Sequence, residues 1–330
     1  MEKRILIGLP AVILMASLFL TGHAFGKHVP PWIRTIAPIV STGWLSDHSA
    51  EVVILDIRSP GDYAAGHIPG SINEPFVTGF DPTCRGPSSN WIVGSDDCLW
   101  LQLPDVNNLL ITIGNLGISK GSRVVVVTAP NPGEPPFYGF ANATRVALTL
   151  IYAGVKNVAI LDGGYPKWAV ELRPISTVPT TATPATYQAK VNKEMFVSIE
   201  YVRKDIGKAV IIDARDAEVY FGAAIEPFAP KEGHIPSARS LPTPWIWVQN
   251  TNETHTYYTY KNEDVLGAMA SGVIGKHKAN EMIVYCGVGG YASSWWFVLT
   301  QVLGYENVKI YDGSAQEWVR FYDMVPYQWD

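Results

Sequence analysis

The 330 residues exceed one typical domain of ~100–200 residues and point to two. With 47% hydrophobic and 17% charged residues, including 11 Trp, 16 Tyr and 11 Phe, the chain has ample material for packed cores and falls outside the disordered class. A net charge of −5 and no basic cluster longer than Lys276-His277-Lys278 exclude a footprint for phosphate backbones, so no nucleic-acid partner is expected.

Residues 1–24 open with Lys3 and Arg4, run through apolar Ile5 to Leu20 and reach the small residues Gly22 and Ala24, the layout of a signal peptide cleaved near Ala24 or Gly26. An uncleaved anchor is the alternative, but this run is interrupted by Gly8 and Pro10 and is shorter than the ~20 apolar residues of a membrane span. The expectation is an exported protein, periplasmic or secreted, with no stable membrane span after cleavage. In an oxidising compartment three cysteines leave one thiol over. Cys84 and Cys98 lie among turn-forming residues, Asp81-Pro82-Thr83 and Gly94-Ser95-Asp96-Asp97, and are expected to close a disulfide loop worth ~3 kcal/mol. Cys286 follows the strand-like run Met282-Ile283-Val284-Tyr285 and precedes Gly287-Val288-Gly289-Gly290, which leaves it as the free thiol.

The chain repeats itself once. Val52 to Arg58 recurs as Ala209 to Arg215, each an apolar run ending in Asp-x-Arg; Gly66-His67-Ile68-Pro69 recurs as Gly233-His234-Ile235-Pro236; and Asp162-Gly163 recurs as Asp312-Gly313. Unequal spacings place extra residues in the first copy, in the interval that holds Cys84 and Cys98. Short apolar strands alternate with helical segments such as Thr144–Tyr152 and Ala292–Leu303, which predicts α/β domains, each a mainly parallel sheet flanked by helices. The expected divisions are residues 40–172 for the first domain, 173–190 for a Pro- and Ser/Thr-rich linker, and 191–330 for the second. Sheets of this kind bind ligands at the C-terminal ends of their strands.

Together, the two Asp-x-Arg strands, the two Gly-His-Ile-Pro turns, the paired Asp-Gly-x-x-x-Trp ends (Trp168, Trp318) and the Cys-led loop of the second copy resemble the tandem-domain rhodanese family of sulfurtransferases. The resemblance implies two rhodanese-like domains, with Cys286 as the catalytic nucleophile. In the first copy Val124 to Val127 runs into Thr128-Ala129-Pro130, with no thiol, so that domain is expected to be silent. Asp56, Arg58, His67, Asp213 and His234 are read as structural, holding strand ends and turns. No cofactor and no metal are implied.

A nucleophilic sulfur acts as its thiolate, and inward-turned amides and a helix N-terminus favour that form. Gly287, Val288, Gly289, Gly290, Tyr291 and Ala292 are the expected cradle, with the three glycines free to adopt positive φ and a helix starting at Ala292. On this reading the thiol pKa falls. Related phosphatases need an Arg six positions after the Cys to clamp an oxyanion, and position 292 is Ala, so sulfur is the group transferred.

Cations that would receive an anionic donor are sparse. Gly287 and Val288 are closer to the Cys-Gly-x-Gly pattern of mercaptopyruvate sulfurtransferases than to thiosulfate enzymes. Those enzymes' substrate-gripping arginines are missing from Glu218-Val219-Tyr220-Phe221 to Glu226-Pro227-Phe228, and Tyr291 replaces the usual Arg or Thr. Arg215 is the expected substrate-side cation, with Lys231 and Arg239 as further candidates, while Trp245, Trp247, Trp295 and Trp296 are candidate pocket walls. Two functions remain open. One is an exported sulfurtransferase passing sulfane sulfur from thiosulfate, mercaptopyruvate, polysulfide or a protein persulfide to a thiol or cyanide. The alternative is a non-turnover rhodanese-like binding module of an envelope redox system handling sulfur or selenium oxyanions. Expected partners are a small sulfur-containing anion, a thiol or cyanide acceptor and an envelope redox protein.

Overall fold

β-Branched and apolar runs set the strand positions: β1 Ile39–Val40, β2 Val53–Asp56, β3 Ile72–Asn73, β4 Gly79–Phe80, β5 Pro87–Ser88, β6 Arg123–Val127 and β7 Asn157–Leu161 in the first half. The second half contributes β8 Phe196–Val197, β9 Val210–Asp213, β10 Ala238–Ser240, β11 Trp247–Thr251, β12 Thr256–Tyr260, β13 Met282–Tyr285 and β14 Val308–Tyr311. This computed structural model describes residues 34–130, 134–135, 137–251 and 256–328. The expected signal peptide, residues 1–24, lies outside the described residues.

Two five-stranded sheets carry the fold, ordered β1-β7-β6-β2-β3 and β10-β9-β13-β14-β8, with every pairing parallel. Their central strands are buried on both faces, which is why Val124 to Val127 and Met282 to Tyr285 read as unbroken apolar runs rather than alternating ones. The α/β class and the duplication expected from sequence are both present. In each sheet the Asp-x-Arg strand lies beside the central strand, so that Asp56 is in register with Val127 and Asp213 with Tyr285.

The repeat holds at the level of single bonds. Arg58 folds back on Asp56 and donates to the Gly66 carbonyl at 2.9 Å; Arg215 does the same with Asp213 and the Gly233 carbonyl at 2.7 Å. His67 stacks on Tyr63 with ring centroids 3.7 Å apart, and His234 stacks on Tyr220 at 3.8 Å. The Tyr63 hydroxyl then donates to the Ser71 carbonyl and the Tyr220 hydroxyl to the Ala238 carbonyl. The Asp, Arg and His side chains occupy the strand ends and the Gly-His-Ile-Pro turns, and the two tyrosines belong to the helices Pro60–Ala65 and Ala217–Phe221.

The copies are joined through helices Phe137–Tyr152 and Gly290–Phe297, where Thr144 Oγ1 lies 2.8 Å from Ser293 Oγ and 2.9 Å from Ser294 Oγ. The first helix begins seven residues before the expected Thr144. The second, expected over Ala292–Leu303, begins at Gly290 and widens into a π-helical turn at Val298–Val302. Glycine at its first position hid that start, because glycine is a poor helix former in any propensity reading. The two Asp-Gly ends reach reciprocally across the junction. Asp312 accepts from Arg145 and from the Leu103 N–H at 3.1 Å, while Asp162 accepts from the Tyr260 N–H at 2.9 Å.

Residues 173–190 are extended and tied to the first domain. Ser176 exchanges backbone bonds with His67, the Ala185 N–H donates to Gly114, and the Tyr187 hydroxyl donates to Ala153. The first copy's extra interval folds as the β4–β5 hairpin and a loop closed by the Cys84–Cys98 disulfide. It lies against the second copy: Trp100 N–H donates to Gln316 Oε1 at 2.9 Å and Gln102 Nε2 to the Asp312 carbonyl at 3.2 Å.

Candidate active site

Cys286 stands at the C-terminal end of β13, where the chain leaves the second sheet for helix Gly290–Phe297. Its Sγ accepts the Gly289 N–H at 3.1 Å, and the N–H groups of Val288 and Ala292 also point at it. The loop turns its amides inward because its carbonyls are held outside: Ala315 N–H donates to the Cys286 carbonyl at 2.9 Å and Gln316 N–H to the Gly287 carbonyl at 3.0 Å. Of the three glycines, Gly289 alone needs the left-handed region, with φ of 91°. Gly287 is required for space, since a Cβ there would collide with the Phe228 ring and the Glu226 carboxylate.

The thiol is buried and unpaired, and forms the floor of a cavity of about 670 Å³ that spans both copies. Gly287, Val288, Gly290 and Tyr291 line it from the loop, and Phe228 and Glu226 from the segment after Asp-x-Arg. The first copy adds Arg58, Thr128, Tyr138 and, from the disulfide-closed interval, Trp100. Tyr291 meets Tyr138 edge to face at 5.4 Å, and Trp100 lies 6.0 Å from Phe228. Thr128 takes the place in the first copy that Cys286 has in the second, and its hydroxyl is tied to the Gly139 carbonyl at 2.7 Å.

Several expectations change at this site. Arg215, expected to bind substrate, is 1% exposed and does not line the cavity. Its guanidinium is held by Asp213 and the Gly233 carbonyl, and its Nη1 lies 3.6 Å behind Glu226. Lys231 pairs with Asp323, and Arg239 donates to the Val273 carbonyl. Trp247, Trp295 and Trp296 are core residues and Trp245 is half exposed; none of the four lines the cavity. The aromatic walls come instead from Trp100, Phe228 and Tyr138. Trp100 and Tyr138 belong to the first copy, and no sequence pattern around Cys286 points to them.

The thiol expectation is also reversed. Burial pushes the Cys286 pKa up, the nearby Glu226 charge adds to that rise, and the amides of Ala292, Val288 and Gly289 offset only part of it. Burial likewise raises Glu226, to about 7. Alkylation of the free enzyme by iodoacetamide should therefore climb by about tenfold per pH unit from pH 6 to about pH 9, because each step multiplies the thiolate fraction. A plateau below pH 8 would show a thiolate already formed at neutrality.

The model of the rhodanese-like domain matches residues 41–171 and again residues 198–321. A Synechococcus elongatus protein provisionally named thiosulfate sulfurtransferase is 29% identical over 88% of this chain and 87% of its own. The sulfur carrier protein TtuD of Thermus thermophilus is 29% identical over 85% of this chain and 93% of its own. The crystal structure of the 3-mercaptopyruvate sulfotransferase SseA from Escherichia coli superposes with a TM-score of 0.63 at 26% identity, covering 84% of this chain and 99% of that one. With both matched segments falling on the two parallel sheets and the free thiol closing the central strand of the second, this chain belongs to the rhodanese family and contains two rhodanese-like domains.

Proposed function

We propose that this protein is an exported rhodanese-type sulfurtransferase that carries sulfane sulfur on Cys286. The observation that carries the reading is the convergence of three backbone N–H groups on a lone thiol at the floor of a cavity. In the first half-reaction the thiolate attacks the outer sulfur of the donor. A Cys286 Sγ–S bond forms, and the donor's own bond to that sulfur breaks with its electron pair leaving on the departing anion. In the second, a thiolate or cyanide attacks the terminal sulfur, the Sγ–S bond breaks and the Cys286 thiolate returns. The inward amides hold the negative charge of the persulfide between the two steps. The names of the relatives, thiosulfate sulfurtransferase and sulfur carrier, support this chemistry.

Donors within this reading are thiosulfate, mercaptopyruvate, polysulfide and a protein persulfide; the acceptor is cyanide or a thiol, including one on an envelope redox protein. Export is supported by the arrangement of residues 1–24 and by the Cys84–Cys98 bond, which an oxidising compartment maintains. The test is to incubate the protein with each donor and map peptides by mass spectrometry. A gain of about 32 Da, one sulfur atom, on the Cys286 peptide is the expected result of direct transfer. No gain with any donor would overturn turnover and leave the non-turnover binding module.

Tyr291 bears on the donor. It lines the cavity with a neutral ring, so the site favours a weakly anionic or protein-bound donor over thiosulfate. Tyr291→Arg should raise thiosulfate kcat/KM by roughly 10- to 150-fold, the worth of one charge-assisted hydrogen bond of ~1.5–3 kcal/mol, with a much smaller gain for polysulfide. Equal changes for the two donors would remove Tyr291 from donor selection.

A further inference from the structure

The cavity has a charge opposite to what a small sulfur dianion needs. Asp62, Glu134, Asp216 and Glu226 line it, against a single guanidinium among the described residues, that of Arg58. Arg58 is already engaged by Asp56, with contacts of 2.6 to 3.1 Å. Glu226 presses its carboxylate against Gly287, next to the nucleophile, and its Oε2 is buried with no hydrogen-bond partner. Arg215 stands behind it at 3.6 Å but is shared with Asp213, so this trio retains one net negative charge. Asp216 begins helix Ala217–Phe221 without capping it, which leaves its carboxylate for the cavity.

We infer that the cavity above Cys286 is built for a substrate bearing an organic cation, an ammonium or quaternary ammonium group, received among the rings of Tyr138, Tyr291, Trp100 and Phe228 and the carboxylates of Glu226 and Asp216. Electron-rich ring faces attract such a cation, and the attraction grows where water is excluded. A buried carboxylate oxygen whose nearest donor stands at 3.6 Å and is shared with a second acid is under-satisfied, and a cation supplies a further partner. A neutral apolar ligand would fit the same rings and leave Glu226 with only the Arg215 guanidinium that Asp213 shares; a dianion would add to four carboxylates. This inference rests on the sulfurtransferase reading only in making the cation-bearing molecule the sulfur donor or acceptor.

The cation site titrates with Glu226. The groups that face Glu226 are Arg215 and Asp213 behind it, Asp216 at the helix start, Cys286 below, and Tyr138 and Tyr291 across the cavity, whose hydroxyl pKa values are themselves raised by burial and by these acids. With Glu226 ionising at about 7, a cation binds more tightly at pH 8 than at pH 6, by about tenfold at most. The bound cation in turn offsets the Glu226 charge that raises the thiol, so occupancy favours the Cys286 thiolate.

The experiment is titration of the full chain with choline and with its uncharged isostere 3,3-dimethylbutan-1-ol, at matched ionic strength, followed by tryptophan fluorescence and calorimetry. Choline is expected to bind at least about tenfold more tightly than the isostere at pH 8. That preference should shrink at pH 6 and be lost in Glu226→Gln. Equal affinities at pH 8, or tighter binding of the isostere, overturn the inference, and these comparisons on the unmodified protein do not depend on how the variant folds. A preference unchanged both by pH and by Glu226→Gln would remove Glu226 as its source. Sulfur loading of Cys286 from polysulfide is read separately by mass without either probe, so failure of the cation site and failure of sulfur transfer are told apart.

Discussion

Replacing Cys286 with Ser is expected to abolish sulfur transfer, to below about one part in 10⁴ of the original kcat/KM, while leaving the fold intact. The substitution is nearly isosteric, and a serine oxygen can still accept the Gly289 N–H that now ends on Sγ. Oxygen, however, forms no persulfide, and no second thiol can stand in. Cys84 and Cys98 are bonded to each other, and Thr128, the counterpart in the first copy, has its hydroxyl tied to Gly139. Two measurements check this: turnover with polysulfide, and loss of the mass gain on the peptide containing residue 286. Thiol titration of the unreduced, unfolded parent chain should find one thiol, and in the variant none. Residual transfer well above trace, or Cys286 found bonded to Cys84 or Cys98 in active protein, would require a different nucleophile.

The second large effect is expected at the junction between the copies. Arg145 is fully buried; it donates to both carboxylate oxygens of Asp312 and to the Leu101 carbonyl. Arg145→Met fills most of the space but takes the guanidinium from a largely buried carboxylate, which keeps only the Leu103 N–H, and from the Leu101 carbonyl, which should cost ~3–5 kcal/mol. For a chain of this size that lowers Tm by roughly 10 °C. The control is the exposed pair Arg123–Glu51, where Arg123→Met should change stability by less than about 1 kcal/mol. Because Asp312 also holds the Leu103 N–H, and Leu101 and Trp100 both line the cavity, the Arg145 variant should lose activity at temperatures where it remains folded. A Tm within 2 °C or so of the parent would mean that the pair contributes little beyond its own desolvation cost.

Much of this molecule is readable in one dimension because its information is local. A fully buried parallel strand must be a continuous apolar run, so Val124 to Val127 and Met282 to Tyr285 stand out. The Asp-x-Arg pair closes its own ion pair two residues apart, so it repeats visibly wherever the unit is repeated. The Cys286 loop lies between one strand and one helix, and the positive φ of Gly289 is a local constraint, whereas the absence of room at Gly287 comes from Phe228 and Glu226, far away in sequence. Cys84 and Cys98 close a short loop in turn-forming sequence, which leaves Cys286 as the free thiol. These features were determined by sequence.

The character of the cavity was decided by tertiary structure alone. Trp100 reaches the second copy by donating to Gln316, 216 residues away, and no periodicity connects positions so distant. Tyr138 precedes the segment that sequence marked as helical, yet folding sets its ring against Tyr291. Arg215 looked like a substrate cation because it is a charge near the site in sequence, but the fold directs it onto Asp213 and Gly233. In sequence Glu226 stands out only by the arginines missing around it, and it becomes a wall of the site because burial removes its water while its Oε2 has only the Arg215 guanidinium, at 3.6 Å and shared with Asp213. The thiol pKa turned on the same cause. Local sequence supplies the amides that favour a thiolate, but how much water is excluded from Cys286 depends on residues brought from both halves of the chain, and that exclusion sets the sign of the shift.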